Sequence, residues 1–131
     1  MIVFEKNSTN NIVVTVSQDT NTNYSYYLFV FTSLMNTATV SCTAQDTSTA
    51  HERYNLFSIE ETSGAVSTSG QVFFTYAGDY YYEIYGKWEN DLTVPNATAL
   101  LESGYARVEG TPYTYNSPDI DYTNKAYDPN E

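Results

Sequence analysis

Gly78-Asp79-Tyr80-Tyr81-Tyr82-Glu83-Ile84-Tyr85 is the stretch that decides the fold class. In an extended chain successive side chains point to opposite sides, so Tyr80, Tyr82 and Ile84 share one face and Tyr81, Glu83 and Tyr85 the other. The first set packs inward, and the second leaves an amphipathic face. Upstream, Ala77-Gly78-Asp79 separates this strand from another over residues 72–76, and small residues over 62–70 mark a turn region. Further out the same period recurs at 12–16, 37–43 and 54–61, and residues 105–108 close the series. Residues 24–32 are apolar on both faces, as in a central strand covered on each side, and Met35-Asn36 turns that strand into 37–43. Residues 1–4 add a short edge strand. Residues 45–52 lack periodic apolar positions and read as a surface loop. Residues 87–96 are polar, and 97–101 read as one helical turn or a bulged strand entry.

About seven strands at roughly ten-residue spacing predict an all-β, antiparallel sandwich over residues 1–110. Its interior is expected to hold Val14, Leu28, Val30, Val40, Phe57, Ile59, Phe73, Tyr80, Ile84 and Val108, with Tyr82 nearer the rim. After Gly110 the character changes. Residues 111–131 carry three of the four prolines together with Tyr113, Tyr115, Tyr122 and Tyr127, and read as an extended C-terminal arm.

Composition agrees. Of 131 residues, 42 are Ser, Thr or Asn and 21 are aromatic, a bias toward strands and turns. The 41% hydrophobic content sustains one packed core. Sixteen acidic residues against five basic ones give a net charge of −11, which disfavours nucleic acid and anionic membranes as partners. No apolar run reaches the length of a transmembrane helix. The first six residues lack the basic and apolar regions of a signal peptide, so the chain is expected to be made and kept in the cytosol.

Nothing in the residues names a reaction, and the chain reads as non-enzymatic without cofactor or metal. One Cys and one His cannot assemble a zinc site or an internal disulfide. Cys42 alternates with Val40 and Ala38 and reads as a buried thiol. His51-Glu52-Arg53 has no recognisable nucleophile beside it. Asp119-Ile120-Asp121 lacks the loop ligands and glycine of a calcium site. Asn7-Ser8-Thr9, Asn23-Tyr24-Ser25 and Asn96-Ala97-Thr98 match the glycosylation pattern by chance in a chain rich in Asn and Thr.

The tyrosines carry the functional reading. Tyrosine combines large contact area with few torsions and a polar tip, which suits recognition surfaces. Tyr81, Tyr85 and Trp88 on the body, and Tyr113, Tyr115, Tyr122 and Tyr127 on the arm, are the candidate partner-binding residues. As a carbohydrate-binding module, the chain would instead stack sugars on Trp88, Tyr81 and Tyr85. A small hydrolase would need a clustered acid/base set that the sequence lacks.

Ala77-Gly78-Asp79-Tyr80 resembles the corner of immunoglobulin-like sandwiches, where a tyrosine at the start of the penultimate strand bonds back to the preceding turn. The paired cysteines and buried tryptophan of antibody domains are missing. The body over 11–110 resembles small structural proteins of tailed bacteriophages of Bacteroidetes and marine hosts. The resemblance is carried by Tyr26-Tyr27-Leu28-Phe29-Val30-Phe31-Thr32, Asp46-Thr47-Ser48, Glu52-Arg53-Tyr54-Asn55-Leu56-Phe57, the 78–85 strand and Leu100-Leu101-Glu102-Ser103-Gly104-Tyr105-Ala106-Arg107-Val108. It implies a virion component made in the host cytoplasm and freed by lysis. The implied role is an auxiliary or decoration protein bound in many copies to the major capsid protein, with a neck or tail adaptor as the nearest variant.

On this reading the arm attaches to a neighbouring subunit through its tyrosines, with Asp119, Asp121 and Asp128 meeting basic residues there. Deleting everything after Gly110 is then expected to leave the melting temperature nearly unchanged while abolishing incorporation into particles. Calorimetry and particle occupancy check this; full occupancy of the truncated chain would move the attachment to the face bearing Tyr81 and Tyr85.

Overall fold

Alternating segments of the sequence become strands of two packed sheets in a computed structural model that describes residues 1–15, 24–49 and 54–110. These residues form β1 (Ile2–Glu5), β2 (Thr9–Val14), β3 (Tyr26–Ser33), β4 (Thr39–Ala44), β5 (Asn55–Glu61), β6 (Gln71–Val72), β7 (Gly78–Lys87) and β8 (Leu100–Glu109). The larger sheet runs β1-β8-β7-β3-β4 and the smaller β2-β5-β6. Thus β3, β7 and β8 lie together opposite the β2–β5 pair, the partition of strands found in immunoglobulin-like sandwiches. The described residues are all-β, with two single 3₁₀ turns at Ser67–Ser69 and Ala97–Ala99. His51-Glu52-Arg53, Asn23 and the whole arm, with Tyr113, Tyr115, Tyr122 and Tyr127, lie outside the described residues.

Two pairings depart from a wholly antiparallel sandwich of seven strands. β1 joins β8 in parallel and β6 joins β5 in parallel, making eight strands. The chain crosses from β1 to β2 in the opposite sheet through Lys6-Asn7-Ser8, so β1 completes the larger sheet at its β8 edge. The strand expected over 72–76 stops at Val72, because the amide of Phe74 donates to a carboxylate of Glu61 and not to a neighbouring strand.

The core between the sheets is aromatic. Phe4, Phe31 and Phe74 meet with ring centroids 5.1–5.3 Å apart, and Phe74 lies 5.1 Å from Tyr80. Phe57, from the smaller sheet, stands edge-on to Tyr27 at 5.1 Å and Phe29 at 5.0 Å. Such edge-to-face pairs add to the burial of apolar area. Val14, Phe57, Ile59, Tyr80, Ile84 and Val108 are buried in the core as their alternation predicts, whereas Leu28 is buried on the outer face of the larger sheet, because Tyr27, Phe29 and Phe31 take the inward positions of β3. Phe73 is not: Val72 and Phe74 take the inward positions and Phe73 is exposed beneath the ammonium of Lys6. Val30, between the inward Phe29 and Phe31, is half-buried on the outer face, and Val40 is half-buried against the core. Tyr82 is buried, its hydroxyl donating to Glu102 at 2.6 Å. Cys42 is fully buried, which pushes its thiol up to about 12 and leaves it protonated at neutral pH.

Two polar devices close one end of the sandwich. At the corner, Gly78 adopts φ of 126°, open to glycine, and Tyr80 donates from its hydroxyl to the carbonyl of Tyr76 at 2.7 Å. Below it, Glu61, only 1% exposed, accepts the amides of Asn7 at 2.8 Å and Phe74 at 2.9 Å and pairs with Lys6 at 3.4 Å. Lys6 also donates to the carbonyl of Phe74. On the loop before β5, burial works to raise the Asp46 carboxyl. Hydrogen bonds from the amides of Leu56 and Ser48 and from Asn55 outweigh it and hold the group below the usual carboxylate range.

Replacing Tyr80 by Ala removes a buried ring and a hydrogen bond and is expected to cost about 3–5 kcal/mol. Glu61→Ala leaves the Lys6 charge and two amides unpaired, with an expected loss of the same order, about 3–5 kcal/mol. Chemical denaturation measures both; an unchanged midpoint in either variant contradicts the role assigned to it.

Candidate interaction surface

The outer face of the five-stranded sheet is where the second side of the 78–85 strand emerges. The register sets Tyr81 between Tyr105 of β8 and Thr32 of β3, Glu83 between Ser103 and Val30, and Tyr85 between Leu100 and Leu28. One step toward the corner, Arg107 lies opposite Asp79 and Val3. The face therefore carries a row of aromatic and aliphatic side chains across four strands, interrupted by single charged residues.

The two ends of this face differ. At the corner end, Tyr81 and Tyr105 meet edge-on with centroids 5.8 Å apart. Tyr105 leaves 56% of its surface in water and Val3 48%. Arg107 donates from Nε to Asp79 at 3.0 Å and borders the pair with an ion pair open to solvent on both sides. At the other end, the connection from β7 to β8 crosses over the sheet. Thr43 donates to Asn90 at 2.5 Å, Asn90 donates on to the carbonyl of Thr68 at 2.9 Å, and Lys87 is held by Asp91 and the carbonyl of Thr93. Leu28 and Thr43 are buried there on the side away from the main core.

This covering corrects the reading of Tyr85. Alternation places it on the outer face, but it is 7% exposed, and its hydroxyl donates to Glu83 at 3.0 Å. Burial, followed by the hydrogen bond to and charge of the neighbouring Glu83 carboxylate, raises the hydroxyl above its ordinary value. Trp88 is 62% exposed but lies past the end of β7, its ring 4.9 Å from Tyr24 and tilted by 41°. Tyr81, Tyr85 and Trp88 thus do not form one platform: the first is half-buried on the sheet, the second is packed beneath a loop, and the third belongs to a groove. That groove, of about 390 Å³, is lined by Tyr24, Trp88, Lys87, Glu89, Pro95 and Ala99 among others. Gly86 forms part of it, and the ring of Tyr24 occupies the space a side chain at that position would need.

Tyr105, Val3 and Tyr24 were not singled out by the sequence. Tyr105 had a readable signal: Tyr105 and Arg107 alternate with Ala106 and Val108, so the two share the outward side. Val3 and Tyr24 carry no such signal, because their positions depend on which strand β1 joins and on Gly86 of β7, far away in sequence. No family model, curated protein or solved structure matches the chain.

Tyr85 and Tyr105, equivalent by alternation, are expected to respond oppositely to truncation. Tyr85→Ala removes a buried ring and lowers stability by about 3 kcal/mol or more. Tyr105→Ala loses an exposed aromatic pair and costs about 1 kcal/mol or less. Urea titrations of the two variants separate a structural tyrosine from a displayed one; similar losses would mean that the connection over Tyr85 does not hold it.

Proposed function

We propose that this chain is a non-enzymatic structural protein of a bacteriophage virion, an auxiliary or decoration protein bound in many copies to the capsid through protein–protein contacts. A neck or tail adaptor is the same mechanism at another address. The observation that carries the reading is the open end of the outer sheet face, where Tyr81, Tyr105 and Val3 stand beside the Asp79–Arg107 pair. Aromatic side chains at the centre with charged groups at the border are the anatomy of a protein interface. A rigid sheet presents them at little cost in ordering, which favours a surface that must engage the same partner repeatedly. With a net charge of −11, the chain is steered toward basic patches on that partner. The separation of Trp88 from Tyr81 and Tyr85 weakens the sugar-stacking alternative, which needs the three rings side by side.

The test is electron cryo-microscopy of the particles together with a Tyr81→Ala, Tyr105→Ala double variant. The expected result is density for the sandwich on the particle with the 78–82 and 103–107 strands against a neighbouring protein, and at least a tenfold fall in occupancy for a variant that still folds. Particles without the chain, or a double variant at full occupancy, would overturn the reading.

A further inference from the structure

Trp88 keeps 62% of its surface in water and lies against Tyr24, which packs in turn on the edge of the core beside Tyr27. Together with Pro95 and Ala99, Trp88 and Tyr24 make an apolar trough, whose volume of about 390 Å³ falls in the range of small-ligand and short-peptide sites. Of the two charged residues lining the trough, Glu89 is acidic and Lys87 is already held by Asp91 and the carbonyl of Thr93, so the trough offers no free cation to draw an anion. An aromatic-lined groove without a free cation is the chemistry that receives proline-rich extended segments: flat rings stack against pyrrolidine, and the stiff segment loses little entropy on docking.

Such a segment exists in the chain itself. Pro112, Tyr115 and Pro118 recur every third residue, the repeat of a polyproline II helix, so that conformation presents all three on one side. We propose that the Tyr24–Trp88 groove of one copy receives residues 112–118 of a second copy.

Reach decides between the chain's own groove and a neighbour's. Val108 sits opposite Gly78 at the corner end, whereas Trp88 follows β7 at the far end, ten strand residues or roughly 33 Å away. Pro118 is eight residues beyond Gly110, at most about 29 Å even when fully extended. Pro112 and Pro118 therefore fall short of the groove on their own sandwich and meet that of another copy. Because the donating and receiving patches differ, the contact is head-to-tail and repeats along a row of copies. Each copy is acidic, so added salt strengthens the association by screening repulsion. This contact is separate from the sheet face: it joins copies to one another, and the face joins each copy to the particle.

Trp88 is the chain's single tryptophan and reports on its own groove. The experiment is sedimentation equilibrium of the full-length protein with tryptophan emission recorded across the same concentrations. Expected are self-association with a concentration-dependent blue shift of the Trp88 emission, loss of both in a Pro112→Ala, Pro118→Ala variant, and at least tenfold weaker association for Trp88→Ala. A chain that stays monomeric, one that associates with unchanged emission, or a proline variant that still shows both effects overturns the proposal. So does an emission shift produced by a neutral oligosaccharide, maltohexaose, in a protein that remains monomeric, which would make the groove a sugar site. Loss of particle occupancy on changing Tyr81 and Tyr105, with self-association intact, would leave the two contacts independently established.

Discussion

The carboxylate of Glu61, at the end of β5 and almost wholly out of water, accepts amides from two places far apart in sequence, Asn7 and Phe74, and faces the ammonium of Lys6. Asn7 belongs to the crossing from one sheet to the other, and Phe74 to the chain that leads into the corner. One side chain thereby fixes where β1 ends, where β6 ends and how Phe74 enters the core. Buried ion pairs yield little net stability, since desolvation offsets most of the attraction. Their geometric demand is severe, because each partner left unsatisfied is costly. Glu61 therefore acts chiefly as a positional constraint, and the aromatic contacts among Phe4, Phe31, Phe74 and Tyr80 form in the arrangement it imposes.

Tyrosine does several distinct jobs within one sheet. Tyr80 locks the corner through its hydroxyl, Tyr82 fills the interior and reaches Glu102, Tyr85 fills a second small core beneath the connection after β7, and Tyr105 is displayed. The side chain suits all of these because its body is apolar and its tip finds an oxygen acceptor at the edge of whichever layer it enters. A composition heavy in tyrosine therefore does not imply a uniformly sticky surface.

What was legible in the residues follows the reach of each interaction. Alternation over 78–85 and the Ala77-Gly78-Asp79 turn are local, and they identify the strand, its inward face and the bond from Tyr80 to the preceding turn. The β3–β4 hairpin and the burial of Cys42 are legible for the same reason. Whether an outward side chain meets water is not local. Tyr85 and Tyr105 look alike in pattern, and what separates them is the course of the connection after β7, where Thr43 donates to Asn90 and Asn90 to the carbonyl of Thr68. Phe73 and Phe74 are adjacent and chemically identical, so choosing between them depends on Glu61 drawing in the amide of Phe74. On the candidate site, Tyr81 was placed correctly on the outer face, its neighbour Tyr105 was overlooked, and Trp88 was grouped with rings that lie elsewhere, because grouping requires the course of the chain between Trp88 and Leu100.

The parallel pairing of β1 with β8 has a consequence for how the molecule comes into being. Ile2–Glu5 pairs as a strand with Ala106–Glu109, so the larger sheet has an unfilled edge until nearly the whole domain has been synthesised. More than a hundred residues must be enclosed to make that one contact, an entropy cost that local pairings such as β3 with β4 avoid. Folding is then expected to proceed from the central hairpin outward and to finish with the first strand. Until that step, β8 presents an open edge to every other nascent chain nearby, so the interval before closure is when the protein is most prone to pair with the wrong copy.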